Sequence, residues 1–105
     1  MRAGQLRHRL ELQENTPTRN AVGEEVAVWS TIERFYGSIE PLSGREFLNA
    51  QASAAEMSHR IRRRYKAGIT PDHRIRFGER LFDINVVINI DERSRELEIL
   101  VKEAI

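Results

Sequence analysis

Apolar and polar positions alternate with a period of two along most of this chain. Leu6, His8, Leu10 and Leu12 alternate with Arg7, Arg9, Glu11 and Gln13, which predicts a half-buried strand with one charged face. Residues 15–23 hold Pro17, Asn20 and Gly23 among small polar residues and predict a loop. Val26, Val28 and Trp29 open a second strand. Ser30–Glu33 predict a bulge or bend, and Phe35, Gly37 and Ile39 alternate with Tyr36, Ser38 and Glu40 in a third stretch that runs to Pro41. Proline lacks the N–H that a ladder needs, so a strand ends there. The period of two resumes after Ala55. Met57, His59, Ile61, Arg63 and Tyr65 alternate with Ser58, Arg60, Arg62 and Arg64 in a strongly basic strand. Arg63 falls on the apolar side, where it needs a partner or a rim position.

Further on, Thr70-Pro71-Asp72 predicts a turn, and Ile75 and Phe77 a short strand flanked by Arg74 and Arg76. Gly78-Glu79-Arg80 reads as a tight hairpin connection. Phe82, Ile84, Val86, Ile88 and Ile90 make five apolar steps. Asp91–Arg95 form a polar turn, and Leu97, Ile99 and Val101 a last strand. These faces predict a core of Leu10, Leu12, Val28, Phe35, Ile39, Ile61, Phe77, Ile84, Val86, Ile88, Leu97 and Ile99.

One segment breaks the pattern. Between Pro41 and Ala55, Ser43 offers an N-cap and Glu46 completes a capping box, with Leu42 and Phe47 placed for a hydrophobic staple. Phe47, Ala50, Gln51 and Ala54 follow at helical spacing, so residues 41–55 predict a helix-bearing excursion between two strands. The sum is a mainly β chain of about six or seven short strands with one short helix. Strands at this spacing favour an antiparallel barrel or sandwich. The 105 residues suit a single domain over 1–105, with 1–5 as a flexible arm.

Composition adjusts this picture only slightly. Charged residues are 31% of the chain, yet the net charge is +1, so no whole-domain basic excess argues for nucleic acid. Cysteine is absent, which excludes disulfides and thiolate metal sites and permits a reducing compartment. No apolar run is long enough to predict a membrane span.

Candidate chemistry is sparse. His8, His59 and His73 have no metal-ligand spacing, and His8 and His59 sit on apolar faces where a rim position with one hydrogen bond explains them. Ser43 is no nucleophile elbow, and no glycine-rich phosphate loop occurs. The chain therefore predicts no enzyme, no cofactor and no metal. The pointed feature is the basic run. Alternation places Arg60, Arg62 and Arg64 on one face about 7 Å apart. Such a row meets phosphates, an acidic partner, or glutamates on neighbouring strands such as Glu96 and Glu98.

Taken in order, Leu6-Arg-His-Arg-Leu, Trp29, Ser38-Ile-Glu-Pro-Leu-Ser-Gly-Arg-Glu-Phe, Glu56-Met-Ser-His-Arg-Ile-Arg, Gly68-Ile-Thr-Pro and the run from Phe82 to Leu97 resemble the tailed-phage head–tail joining family, also called head-closure or stopper proteins. The resemblance runs end to end. It departs at the first loop, where Ala21-Val-Gly-Glu-Glu replaces a Gly-Gly-like tip. It implies a small β-barrel without enzymatic activity, a virion component assembled in the host cytoplasm. It further implies a ring of copies beneath the portal or adaptor, holding packaged double-stranded DNA and presenting a docking surface for a tail-completion protein, with no membrane. It places the excursion towards the channel or a neighbouring subunit. With the basic row, that makes Arg45, Glu46, Arg60, Arg62, Arg64 and Lys66 the candidates for interface or DNA-channel contacts. A different class stays open: a small barrel binding single-stranded nucleic acid through strand 59–66. Its stacking aromatics would have to be Tyr36 and Tyr65, since the phenylalanines occupy apolar positions.

Overall fold

Alternation and turn chemistry close this chain into a barrel. The structure, a computed structural model, describes residues 7–42 and 57–104. Eight strands are present among them: β1 (His8–Asn15), β2 (Thr18–Arg19), β3 (Glu25–Val26), β4 (Trp29–Pro41), β5 (His59–Arg64), β6 (Arg74–Phe77), β7 (Arg80–Asn89) and β8 (Glu96–Ala104). Six of them form a closed barrel in the order β1-β4-β5-β8-β7-β6, and every neighbouring pair is antiparallel. Closure removes the free edges that an open sheet exposes. β2 and β3 form a separate two-stranded hairpin, and a single 3-10 turn, Ile90–Glu92, is the one helical piece among the described residues. The excursion helix expected at 43–55, with Arg45 and Glu46, and the arm at 1–5 lie outside the described residues.

The interior is apolar. Leu10 and Leu12 of β1, Phe35 of β4, Ile61 of β5, Ile75 of β6, Phe82 and Ile84 of β7, and Leu97, Ile99 and Val101 of β8 are buried together, with Ile69 from the β5–β6 connection. Ile39, Phe77 and Val87 pack half-buried around them. Gly37 is required by the close approach of strands. A Cβ there would stand 2.8 Å from the Arg62 carbonyl oxygen and 3.1 Å from Leu10 Cδ1. Gly78 opens the two-residue β6–β7 loop at φ +61, the left-handed region that a primed hairpin turn demands of its first central residue.

Two β-bulges set which residues face inward. Leu12 pairs Glu33 but Gln13 pairs Thr31, so Ile32 is the extra residue, inside the stretch where the sequence predicts a bulge. The bend does not divide the strand, and β4 runs unbroken for 13 residues. On β7, Ile84 pairs Val101 and Val86 pairs Leu100, so Asn85 is extra. One inserted residue reverses every later side chain. Val87 therefore turns inward, while Val86 (36% exposed) and Ile88 (37%) lie on the outer face, not in the core expected of them. Val28 is also exposed, at 42%, because it sits at the base of the β2–β3 hairpin, outside the barrel.

Candidate functional site

The chemistry lies at the two rims of the barrel, on the hairpin beside one of them, and on two basic outer faces. At the first rim, β1 and β7 begin and β4 and β8 end. His8 packs on Phe77 with ring centroids 5.0 Å apart, and His59 meets the Phe82 ring edge-on at 5.3 Å. Arg80 crosses this rim. Its guanidinium lies 5.0 Å from the Phe82 centroid and grips Glu103 through two hydrogen bonds of 2.9 and 3.0 Å. His59 Nδ1 is 2.8 Å from Ser58 Oγ, and Nε2 is 3.4 Å from Arg80 Nη2. Arginine can only donate, so Nε2 accepts and the ring proton belongs on Nδ1. Burial, then the Arg80 charge, hold the His59 pKa below its ordinary value, against a smaller opposing pull from Glu103. The Arg80–Glu103 hydrogen bonds raise the arginine's pKa and lower the glutamate's.

At the second rim Arg63 points inward, only 5% exposed. Its need for a partner is met from β4: Nη1 and Nη2 donate to Glu33 at 2.6 and 3.1 Å, and the guanidinium lies 4.2 Å over the Phe35 ring. Lys66 adds a second cation 3.4 Å from Glu33. Hydrogen bonding from Arg63 holds the Glu33 carboxyl below the usual carboxylate range, against its partial burial. Outside the barrel nearby, Gln13 is buried because Arg74 Nε donates to its Oε1 at 2.7 Å and its amide donates to Thr31 Oγ1 at 3.2 Å. Arg74 stacks 4.3 Å from the Trp29 ring, and burial lowers its pKa.

The hairpin leaves this second rim. Residues 14–28 are all exposed. Its tip is nonetheless built: Asn20 Oδ1 accepts from the Val22 and Glu24 amides at 3.0 Å each, Arg19 Nη1 donates to the Gly23 carbonyl at 2.9 Å, and Gly23 takes φ +83. Thr16 N donates to the Val28 carbonyl at 2.8 Å and Val28 N to Asn15 Oδ1 at 2.9 Å, closing its base. The sequence predicts a loop over residues 15–23 and opens the next strand at Val26, whereas Thr18–Arg19 and Glu25–Val26 pair as a hairpin. Asn20 and Gly23 between Thr18-Arg19 and Glu25-Val26 are the hairpin signal that it contained.

The basic row lies on the outer face of β5. Arg60 reaches Glu40 at 3.4 Å and Glu98 at 3.6 Å, and Arg62 reaches Glu98 at 3.3 Å. Arg64 stands opposite Glu96 in the β5–β8 register, while Lys66 turns to Glu33 at the second rim. Sequence reasoning missed a second basic surface. On the outer face of β1, β4 and β6, Arg9, Arg34 and Arg76 surround Glu11 in an open groove of about 400 Å³ that ends at Gly78. Glu11 is 3.2 Å from Arg34 and 3.8 Å from Arg76. These residues lie on three strands, and only the register joins them. Among the described residues, no group of three or more His, Asp or Glu side chains could hold a metal ion, and no helix is long and apolar enough to cross a membrane.

The described residues form a six-stranded closed barrel with a charged exterior and a projecting two-stranded hairpin. The model of the phage head completion protein family matches residues 1–104, and the chain belongs to that family. It is accordingly a structural protein of the phage head and a component of the virion, with other virion proteins as its partners, in a family that is not an enzyme family. The solution structure of protein SF1141 from Shigella flexneri 2a is similar at 29% identity and a TM-score of 0.78, over 99% of this chain and 97% of that one. A chain in the virion of a native gene transfer agent particle shares the fold at 18% identity and a TM-score of 0.65, over 94% and 96% of the two chains. No curated protein matches the sequence.

Proposed function

We propose that this chain is a subunit of a connector ring that closes the DNA-filled head beneath the portal and offers the docking surface for the tail. The observation that carries the reading is the contrast between the closed, rigid barrel and the fully exposed but internally hydrogen-bonded hairpin at residues 14–28. A tip held by local hydrogen bonds yet touching no core is pre-organised for contact with something outside the subunit. Membership of the head completion family supports the same reading. A subunit of this kind must remain dispersed before assembly and associate when a template gathers copies. Mixed-charge contacts suit that, because they become effective once local concentration is raised. Arg45, Glu46, Arg60, Arg62, Arg64 and Lys66 belong in this proposal as candidate contacts with a neighbour or with DNA.

The test is a phage lacking this gene, complemented or not by the chain. Without it, heads should package DNA, lose it, and remain tailless. With it, tailed and filled particles should return. Filled and tailed particles in its absence would overturn the reading.

A further inference from the structure

The β2–β3 hairpin and the arginine groove are complementary, and they lie at different places on one subunit. The groove presents three guanidinium groups against one carboxylate, a net charge of +2. Arg34 keeps 60% of its side chain exposed and Arg76 47%, so the ion pairs with Glu11 leave donors facing solvent. Tyr36 pairs with Arg9 across β1 and β4 and stands 59% exposed beside them. The hairpin supplies the opposite qualities. Glu24 and Glu25 are exposed and hold no ion pair among the described residues, and Val22 at the tip is 75% exposed. We infer that the hairpin of one copy docks in the Arg9–Arg34–Arg76 groove of the next, with Glu24 and Glu25 on the arginines and Val22 against Tyr36.

The two surfaces differ, so the contact is head-to-tail, the kind that generates rings when the rotation closes. Charge sets the partner and register, and pre-organisation of the tip limits the entropy lost on docking. The outer face of Val86, Ile88 and Leu100 is a poorer receptor. It is more apolar, and the arginines beside it on β5, Arg60 and Arg62, already meet Glu98 at 3.6 and 3.3 Å. The inference rests on the ring reading above and adds the surfaces that make the ring.

The chain has no cysteine, so introduced thiols report one contact each. Val22→Cys with Tyr36→Cys leaves every charge of the proposed contact in place. Particles completed with this double variant should give, on mild oxidation, a ladder of disulfide-linked multimers, since the paired Cα atoms must lie within about 7 Å. Adding Glu24→Lys and Glu25→Lys should abolish the ladder. Mixing that hairpin with an Arg9→Glu, Arg34→Glu groove should restore it. Completed particles without a ladder, or an equal ladder from Val22→Cys with Ile88→Cys, would overturn the inference while leaving the connector reading intact. Failure of the wild-type chain to complete particles would instead strike the connector reading. A third result also overturns the inference: no ladder, together with Arg9→Glu and Arg34→Glu weakening the binding of a DNA duplex by the purified protein. That result would assign the groove to nucleic acid.

Discussion

Arg63 shows how one residue can contradict the pattern around it and still be determined by it. It stands where β5 needs an apolar side chain, and its guanidinium is kept inside by Glu33 and the Phe35 ring. Removing Glu33 would leave that cation facing an apolar interior. Glu33→Ala should therefore lower the unfolding free energy by about 1–3 kcal/mol, the usual cost of a buried polar group left unpaired. Lys66→Ala, which removes a half-buried second cation from the same carboxylate, should change it by less than about 1 kcal/mol. Urea unfolding measures both. His59 gives a pH dependence of definite sign. Its pKa is lower folded than unfolded, so below its ordinary value of 6.5 the unfolded chain binds a proton that the folded chain refuses. Stability should fall as pH drops through that value, and His59→Gln should flatten the fall. Unfolding midpoints of both proteins at neutral and mildly acid pH check this.

At the scale of elements, the strands were legible because alternation and turn residues survive without any knowledge of partners. β1, β5, β6 and β8 stand where the periodicity puts them, and β4 ends at Pro41 as its missing N–H requires. The bulge at Asn85 was not legible. A run of Phe82, Ile84, Val86, Ile88 reads as one face whether or not an extra residue reverses it, and only the register with β8 decides. The core follows suit: Ile99→Ala should cost about 2–5 kcal/mol, as a fully buried aliphatic truncated in a packed interior does. Ile88→Ala should cost less than about 1 kcal/mol, since half-exposed surface is removed without a cavity. Equal losses in chemical denaturation would place Ile88 back inside. The candidate surfaces were read less well than the strands. The basic row was visible as a run along one strand. The groove was not, because Arg9, Arg34 and Arg76 are brought together by pairing across three strands.

The whole molecule has two unlike ends. β1 starts, β8 ends and β4 gives way to Leu42 at the rim of His59 and Arg80, whereas the hairpin leaves from the rim of Arg63. The barrel between them is closed and shares no side chain of its core with residues 14–28. Replacing residues 17–27 by a short Asn-Gly turn should therefore alter stability by less than about 1 kcal/mol, the scale of a change in loop length. The same variant should fail to complete particles. Denaturation and particle counts together separate the two effects, and a large loss of stability would show that the hairpin helps to hold the barrel. Asn15 and Trp29, which face each other across β1 and β4, mark the base of that hairpin. In evolutionary terms they are a seam. Recombination at these two facing positions can hand a lineage a new hairpin, matched to a new neighbour, while the interior it has already optimised is inherited unchanged.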